Sequence, residues 1–375
     1  MSENKESFND LGIVSINLDY LKHNYKVIKK TLKNKTRIAA VLKANAYGLG
    51  IEKIATTLEK SGCELYFVAT LKEGIELRKL LKKPKILVLN GSQVHTKKIF
   101  QEFTKYKLIP VINSYNDLNL WVDLLKKNNH KSSIALHFDT GMNRLGIPYS
   151  DLGKIKKFIQ NNKINIFCIM SHLASADDEQ NITNKIQKKL FDKIITSFPD
   201  TLNSIANSSA AFNLKDYGYS FVRTGGGLFG INPNKKNKNL KNVVSVKARI
   251  LQIRNLEKEP IKSIGYNSTY SVRSSLKIAV LGIGYADGYP RNLSNKGYGI
   301  FKGKKLPIVG NISMDYMTVD ISCINAKDIN VGDWVELIGE EITIQKVAKL
   351  SETIEYEILN NLGYRLQKDY ISSKK

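Results

Sequence analysis

Polar and charged side chains follow a series of short apolar segments in the first two thirds of the sequence. They are Lys43, Asn90, Asn113, Asp139 with Arg144, His172, Asn207 with Ser208, and Arg223 with the glycines at 225–227. If parallel strands bring these ends to one rim, that rim holds a lysine, a histidine, two arginines and two turns rich in amides. The set suits an anionic ligand. A lysine desolvated at a strand end also has the lowered pKa that Schiff-base chemistry requires.

The apolar segments predict the elements that position these side chains. Stretches of helical periodicity such as 51–61, 71–81 and 185–195 separate eight candidate strands. The strands are residues 37–42, 65–69, 85–89, 108–112, 133–138, 166–171, 204–207 and 220–223. Repeated strand–helix alternation of this kind favours an α/β fold, a (β/α)8 or TIM barrel, over an open sheet.

The pattern changes after Gly230. Residues 232–239 are polar turn material typical of a linker, and short alternating segments follow at 243–253, 276–282, 306–309, 317–321 and 334–338. We therefore expect a barrel over residues 11–240 and a β-rich C-terminal domain over residues 241–375. Residues 14–18 form one extra strand before the barrel, and it can pair with the C-terminal domain.

Composition excludes several classes of protein. The chain has 375 residues, 42% hydrophobic and 25% charged, and no apolar run approaches a membrane-spanning length. Residues 1–10 are polar and lack the apolar core of a signal peptide. Three cysteines lie far apart and suggest neither a disulfide framework nor a zinc cluster. We expect a cytoplasmic protein of two domains that binds no metal.

The net charge of +24 invites a nucleic-acid interpretation. However, only nine of the 58 basic residues are arginines, which nucleic-acid sites favour, and the lysines are scattered in short pairs. A lysine-rich composition with solvated helix faces explains this pattern. Salt-sensitive retention on DNA would be needed to support a nucleic-acid role.

Eight blocks of sequence are more specific. Residues 39–50 (AAVLKANAYGLG) closely resemble the pyridoxal-phosphate attachment motif of alanine racemases. Seven further blocks continue the resemblance in order: 139–146 (DTGMNRLG), 171–174 (SHLA), 206–208 (ANS), 223–225 (RTG), 265–270 (GYNSTY), 284–288 (GYADG) and 310–315 (GNISMD). The resemblance spans nearly the entire chain. The family's fold, a (β/α)8 barrel followed by a β-domain, agrees with the pattern above.

The resemblance implies catalytic roles. Lys43 would hold pyridoxal 5'-phosphate and serve as the base on one face of the substrate α-carbon. Tyr270, from the partner subunit of a homodimer, would be the base on the opposite face. His172 would share the proton of Tyr270, and Arg223 would face the pyridine nitrogen. Because arginine stays protonated, that nitrogen would stay unprotonated and the cofactor would be a weaker electron sink.

The resemblance also implies binding roles. The groups that would grip the cofactor phosphate are the amides of Gly225 and Gly226, Ser208, and the hydroxyls of Tyr47 and Tyr356. Arg144 and the backbone amide of Met314, the latter from the partner chain, would bind the substrate carboxylate. Tyr285 would line the entrance.

His137 departs from the family pattern. Many members carry a lysine at this position, two residues before Asp139, and its carbamate positions the arginine. A histidine does not form that carbamate, so another group or a bound anion orients Arg144, or Arg144 is held more loosely. We expect no carbamylated lysine near Arg144. An intact mass with a carbon dioxide adduct in that peptide would contradict this.

The implied function is an alanine racemase, a pyridoxal-phosphate-dependent isomerase that supplies D-alanine for peptidoglycan. A broad-specificity amino-acid racemase on the same scaffold is the nearest alternative, because one sequence does not size the pocket. Fold-related decarboxylases are disfavoured by the lack of a cysteine-bearing catalytic block. A pyridoxal-phosphate carrier protein is a single barrel, so a second domain with Tyr270 and Met314 argues against it.

Overall fold

The computed structural model describes residues 11–33, 35–91, 96–231, 239–272 and 275–373. Internal contacts divide the chain into two compact units. One unit contains residues 21–46 and 50–241, and the other contains the chain up to residue 20, residues 47–49, and the chain from residue 242 onward. The polar segment 1–10 and all of the expected linker except Asn239 lie outside the described residues.

The unit of residues 21–241 is a barrel of parallel strands. Strand β1 (Gly12–Asn17) and helix α1 (Leu18–Thr31) come first in the chain. The barrel strands are β2 (Arg37–Val41), β3 (Leu65–Val68), β4 (Lys85–Val88), β5 (Ile109–Ile112), β6 (Ile134–Asp139), β7 (Ile147–Pro148), β8 (Ile166–Met170), β9 (Leu202–Ser204) and β10 (Phe221–Thr224). They pair in the order β10-β2-β3-β4-β5-β6-β8-β9, with β7 beside β6. Backbone bonds from Ser220 N to Asn203 O and from Arg223 N to Ala206 O, both 3.0 Å, join the two ends of this order. The predicted TIM barrel is confirmed.

Short helices connect the strands. They are α3 (Ile51–Lys60), α4 (Leu71–Leu80), α5 (Lys97–Lys105), α6 (Tyr115–Lys127), α7 (Leu152–Asn162), α8 (Ile182–Ile195) and α9 (Ser208–Asn213), whereas α2 (Lys43–Tyr47) is a short left-handed turn. The strand expected at 204–207 was placed too late in the chain. It is β9, which ends at Ser204, because the side chain of Asn207 already caps α9 by accepting from Ala210 N.

The barrel interior is filled by alternate residues of most strands. Its core consists of Ala39, Val41, Leu65, Phe67, Leu87, Ile109, Val111, Ala135, Cys168, Met170 and Phe221. Successive side chains of a strand point to opposite faces, so the residue two positions beyond each core position also points inward. This alternation brings Lys43, Asn113, His137, His172 and Arg223 above the core at the carboxyl ends of the strands.

The second unit is β-rich, as expected. Besides β1 it contains β11 (Val244–Asn255), β12 (Ser263–Ile264), β13 (Tyr270–Ser271), β14 (Lys277–Leu281), β15 (Tyr298–Phe301), β16 (Lys304–Pro307), β17 (Met317–Asp320), β18 (Trp334–Ile338), α10 (Ile344–Leu350), α11 (Glu355–Asn361) and β19 (Gln367–Ile371). Strand β1 pairs antiparallel with β11 and parallel with β19. The segment expected at 306–309 begins two residues earlier, because a turn with positive φ at Lys302 and Gly303 starts β16 at once. Among the described residues, no helix is both long enough and apolar enough to cross a membrane.

Candidate active site

Lys43 stands two residues after the end of β2 and is exposed to solvent. Surrounding protein atoms still desolvate its ammonium group in part, which lowers its pKa. The positive charge of Arg144 lowers the pKa further, while Glu73 acts in the opposite direction. A lowered pKa increases the fraction of unprotonated amine, the form that acts as nucleophile or base. The environment of Lys43 therefore suits a reactive lysine.

The backbone after Lys43 forms a left-handed turn. The φ angles of Ala44, Asn45, Ala46 and Tyr47 are 52°, 53°, 56° and 58°. L-residues rarely occupy this region, so other contacts must hold the turn. The carboxylate of Glu73 accepts from Ala44 N at 2.7 Å, and Asn45 Oδ1 accepts from the amide at position 51 at 2.8 Å. These contacts hold the backbone that follows the reactive lysine in its left-handed conformation.

Arg223 is buried at the end of β10, and its four terminal N–H groups are all engaged. Nη1 donates to the carbonyl and the hydroxyl of Ser204 at 2.9 and 2.8 Å. Nη2 donates to the carbonyl of Ser171 and to Nδ1 of His172, the latter at 3.1 Å. Burial lowers the pKa of Arg223 to about 10, so it remains a cation at neutral pH. Its Nε–H remains for a further acceptor.

His172 is held neutral in one tautomer. Arginine only donates, so Nδ1 of His172 must carry the lone pair that accepts from Arg223. Burial, together with the charges of Arg223 and Arg144, lowers the pKa of His172 to about 3. The proton of the neutral ring therefore lies on Nε2, where it can be donated.

A small cradle lies where β10 meets α9. The buried hydroxyl of Ser208 accepts from Gly225 N and Gly227 N, each at 3.2 Å, and contacts the hydroxyl of Thr224 at 3.0 Å. A Cβ at Gly227 would come within 3.1 Å of that Thr224 hydroxyl, so glycine permits the close approach. Amides and hydroxyls that converge in a glycine-rich turn bind anions. Sequence reasoning assigned this role to Gly225 and Gly226, and it missed Gly227 and Thr224.

His137 lies on β6 and faces Asn113 of the neighbouring strand end. Its Nδ1 is 2.7 Å from Asn113 Oδ1. Burial, followed by the charges of Arg223 and Arg144, lowers the pKa of His137 to about 4, although Asp139 opposes this. The sequence analysis identified His137 only as a departure from the family pattern. It did not predict the hydrogen bond between His137 and Asn113.

Arg144 lies in the loop between β6 and β7. Asp139 begins this loop by accepting from Gly141 N and Met142 N, both at 2.8 Å. Gly146 ends it against the backbone of Asp139, where a Cβ would come within 2.6 Å of Asp139 N. The side chain of Arg144 is exposed, and its charge lowers the pKa values of Lys43, His137 and His172. Arg144 therefore acts electrostatically on the lysine and on both histidines.

Gln187 of α8 ties two of these loops together, and sequence reasoning missed it. It is fully buried; its amide nitrogen donates to His172 O at 2.9 Å and to the hydroxyl of Thr140 at 3.3 Å, and its amide oxygen accepts from Ala174 N at 2.9 Å. The Thr140 hydroxyl also contacts that of Ser171 at 2.7 Å. A glutamine within an amphipathic helix carries little signal in a single sequence, which explains the omission.

The remaining candidate residues belong to the second unit. Tyr47 is buried, its ring centroid lies 5.8 Å from that of Tyr356, and burial raises its pKa. Tyr270 is half-buried on β13 and packs against the apolar cluster around Ile264 and Val309. Sequence alone did not indicate these packing partners.

Met314 and Tyr285 lie on two turns that are bonded to each other. Tyr285 N donates to Ser313 O and Ala286 N donates to Met314 O, both at 3.0 Å. Both side chains are exposed, Met314 by 52% and Tyr285 by 42%, so they are free to face another molecule. Among the described residues, no group of three histidine, cysteine, aspartate or glutamate side chains could hold a metal ion.

Comparison with known proteins decides the family. Residues 16–233 match the family model described as alanine racemase, N-terminal domain, and residues 243–370 match the alanine racemase, C-terminal domain. The chain belongs to the alanine racemase family. This confirms the resemblance found in the eight sequence blocks.

Individual alanine racemases match over most of their length. That of Rickettsia bellii is 38% identical over 340 residues, which covers 89% of this chain and 81% of the relative. That of Rickettsia canadensis is 37% identical over 365 residues, covering 96% and 99%. The crystal structure of alanine racemase from Bartonella henselae with covalently bound pyridoxal phosphate has a TM-score of 0.90 at 37% identity, covering 96% of this chain and 99% of that one. The fold and the domain order are thus those of alanine racemases.

Proposed function

We propose that this protein interconverts L-alanine and D-alanine, with pyridoxal 5'-phosphate held at Lys43. The observation that carries the proposal is the barrel rim itself. It combines a lysine of lowered pKa, an anion cradle at Ser208, and a buried Arg223–His172 pair. D-alanine made in this way would serve peptidoglycan synthesis. The three cysteines are free, which suits the reducing cytoplasm in which we place the enzyme.

The residues present fit pyridoxal phosphate. The amides of Gly225 and Gly227 both donate to the Ser208 hydroxyl, so two amides and a hydroxyl are gathered beside the glycine-rich turn that Gly226 begins, a donor set that suits a phosphate. We assign the hydroxyls of Tyr47 and Tyr356 to the same phosphate. When bound, the cofactor acidifies the substrate α-proton by accepting the electron pair left behind.

Arg223 would set the electronic state of the cofactor. Its four terminal N–H groups are engaged by Ser204, Ser171 and His172, so its Nε–H is the donor left for the pyridine nitrogen. Arg223 remains a cation and does not give up a proton. The ring nitrogen would therefore accept a hydrogen bond without becoming protonated, which favours racemisation over side reactions that need a stronger electron sink.

Inversion needs a proton donor and acceptor on each face of the α-carbon. Lys43, freed from the cofactor by the substrate, is the base on one face, and its lowered pKa suits that task. We assign the opposite face to Tyr270 of the partner subunit. A phenol that keeps its proton cannot act as a base, and the Nε2–H of the neutral His172 can donate to the phenolate and stabilise it.

Substrate binding and entry would use three further residues. Arg144 would take the substrate carboxylate, assisted by the backbone amide of Met314 from the partner subunit. The exposed Tyr285, bonded through its backbone to the turn that carries Met314, would line the entrance.

A homodimer with shared sites follows from these assignments. If Tyr270 acts across the interface, a mixture of Lys43→Ala and Tyr270→Phe subunits forms some dimers in which one site has both changes and the other has neither. We expect activity to reappear on mixing, although each variant alone is inactive. No recovery despite demonstrated subunit exchange would contradict shared sites, as would full activity in a dilute monomeric sample.

The direct test of the function is D-alanine formation from L-alanine by the purified protein with pyridoxal phosphate, run beside L-serine and L-lysine. Rapid D-alanine formation with little product from the other two supports the proposal. Racemisation of serine or lysine instead would support the broad-specificity alternative. No racemisation despite cofactor bound at Lys43 would support a carrier protein.

A further inference from the structure

The tautomer of His137 is fixed by its neighbour Asn113. The side-chain nitrogen of Asn113 donates to the carbonyls of Leu89 at 3.0 Å and Val111 at 3.2 Å, and carbonyls only accept. The amide oxygen of Asn113 is therefore the atom that faces His137 Nδ1 at 2.7 Å. Because this oxygen only accepts, Nδ1 of His137 must carry the proton.

The ring of His137 is also neutral. Burial and the cations Arg223 and Arg144 oppose a second proton, and Asp139 does not compensate for them. A neutral ring that is protonated on Nδ1 has a lone pair on Nε2. His137 thus presents a hydrogen-bond acceptor at the barrel rim, which is the opposite arrangement to His172, whose Nε2 donates.

The guanidinium N–H groups of Arg144 make no hydrogen bond or ion pair among the described residues. The loop that carries this residue is anchored at both ends on Asp139, so Arg144 projects from the end of β6, the strand that also holds His137. The two cations whose charges lower the pKa of His137 differ in this respect. Arg223 has its terminal N–H groups engaged, whereas Arg144 has five N–H groups to place.

We propose that His137 is a positioning residue for Arg144. Its Nε2 accepts an N–H of the guanidinium, directly or through one water. This bond directs the remaining N–H groups of the guanidinium toward the substrate carboxylate. This inference rests on the proposed function insofar as Arg144 binds that carboxylate. A neutral acceptor leaves the full positive charge of Arg144 available to the substrate. With this acceptor, Arg144 is positioned without a lysine carbamate and therefore without added carbon dioxide.

Two substitutions separate the two ring nitrogens. In His137→Asn, the amide nitrogen replaces Nδ1 and keeps the bond to Asn113, but nothing replaces Nε2. In His137→Gln, the longer side chain places an oxygen near the position of Nε2. We expect His137→Asn to raise the KM for alanine roughly 10- to 100-fold with a much smaller change in kcat, as the loss of a hydrogen bond to a charged group would. His137→Gln should recover most of that affinity. The exposed His130→Gln is the matched control.

Propionate binding to the holoenzyme tests the inference without catalysis. Propionate has the carboxylate and methyl group of the substrate but no amine, so its Kd reports the carboxylate site alone. The Kd should rise in His137→Asn and recover in His137→Gln, with the melting temperatures unchanged. If both variants bind propionate like the parent protein, or if both lose affinity in proportion to lost thermal stability, the inference is wrong.

Nitrogen-15 NMR of histidine-labelled protein reads the tautomer directly. The His137 signal, assigned by its loss in His137→Gln, should show a protonated Nδ1 and an unprotonated Nε2. A protonated Nε2 would overturn the inference. These binding and spectroscopic results do not depend on turnover. A parent protein that binds propionate as expected but racemises nothing would refute the proposed function and leave the role of His137 standing.

Discussion

Arg223 donates to Nδ1 of His172 across 3.1 Å, and this bond joins a buried cation to a histidine that stays neutral. On the neighbouring strand β6, Nδ1 of His137 donates to Asn113, which leaves that ring with an acceptor at Nε2. Two histidines in one site therefore have opposite tautomers, each set by a single neighbour. Their protonation, and not only their position, distinguishes what each can do.

Acidification should destabilise the protein through these two histidines. In the folded state their pKa values are about 3 for His172 and about 4 for His137, whereas an unfolded histidine titrates near 6.5. The unfolded chain therefore binds more protons between about pH 6.5 and about pH 4, and the stability present above that window is lost as the pH falls through it. The free energy of unfolding should decrease by up to about 1.4 kcal/mol per pH unit for each histidine. Urea unfolding across the window measures this, and His172→Gln should show a shallower dependence than the exposed control His130→Gln. A flat profile would contradict the two lowered pKa values.

Replacing Arg223 by lysine should destabilise the fold although the charge is kept. An ammonium group cannot reach both oxygens of Ser204, the carbonyl of Ser171 and the ring of His172 at once, so buried acceptors lose their donors. We expect a loss of about 2–4 kcal/mol in the free energy of unfolding. Arg254→Lys is the matched control, because Arg254 pairs with Glu259 at the surface. Equal stability of the two variants would be inconsistent with the bonding pattern of Arg223.

Removing the hydroxyl of Ser208 should weaken binding of the cofactor phosphate. Ser208→Ala leaves Gly225 N and Gly227 N without their shared acceptor and deletes one donor to the phosphate. We expect the Kd for pyridoxal phosphate to rise roughly tenfold, as the loss of one charge-assisted hydrogen bond would predict. Spectroscopic titration of the cofactor-free protein measures this. The neighbouring Ser209→Ala is the control, and the assignment fails if both variants bind the cofactor alike.

Replacing Gln187 by leucine should loosen two loops together. The leucine would leave Ala174 N and the carbonyl of His172 without their side-chain partner and would remove the donor to the Thr140 hydroxyl. We expect a destabilisation of about 2–3 kcal/mol. The KM for alanine should also rise, since Thr140 belongs to the loop that carries Arg144. Gln160→Leu, exposed on α7, should change neither quantity. A stable Gln187→Leu variant with an unchanged KM would show that Gln187 does not hold these loops.

The barrel could be predicted from sequence because its signal is local. Each strand is a short apolar run, and several helices begin at a recognisable cap, such as Thr70 with Glu73 before α4. The error at β9 has the same origin. Residues 204–207 have strand-like neighbours, and only the helix cap at Asn207 shows that the strand has already ended.

The site was predicted less completely, because its supporting contacts are not local. The sequence gives no sign that Gln187 of α8 would meet the loops at Thr140 and His172, or that Asn113 would select a tautomer for His137. Strand alternation does predict that these histidines point inward. The hydrogen-bond partner of each ring nitrogen, however, comes from strands that are distant in the sequence.

The left-handed turn after Lys43 has a consequence for chirality. Ala44 and Ala46 have φ angles of 52° and 56°, which is the ordinary helical region of a D-residue by mirror symmetry. A chain assembled by ligation with D-alanine at these two positions would avoid roughly 1–2 kcal/mol of backbone strain at each. The backbone beside the reactive lysine therefore has, at two alanines, the handedness preferred by the enantiomer that the enzyme would make.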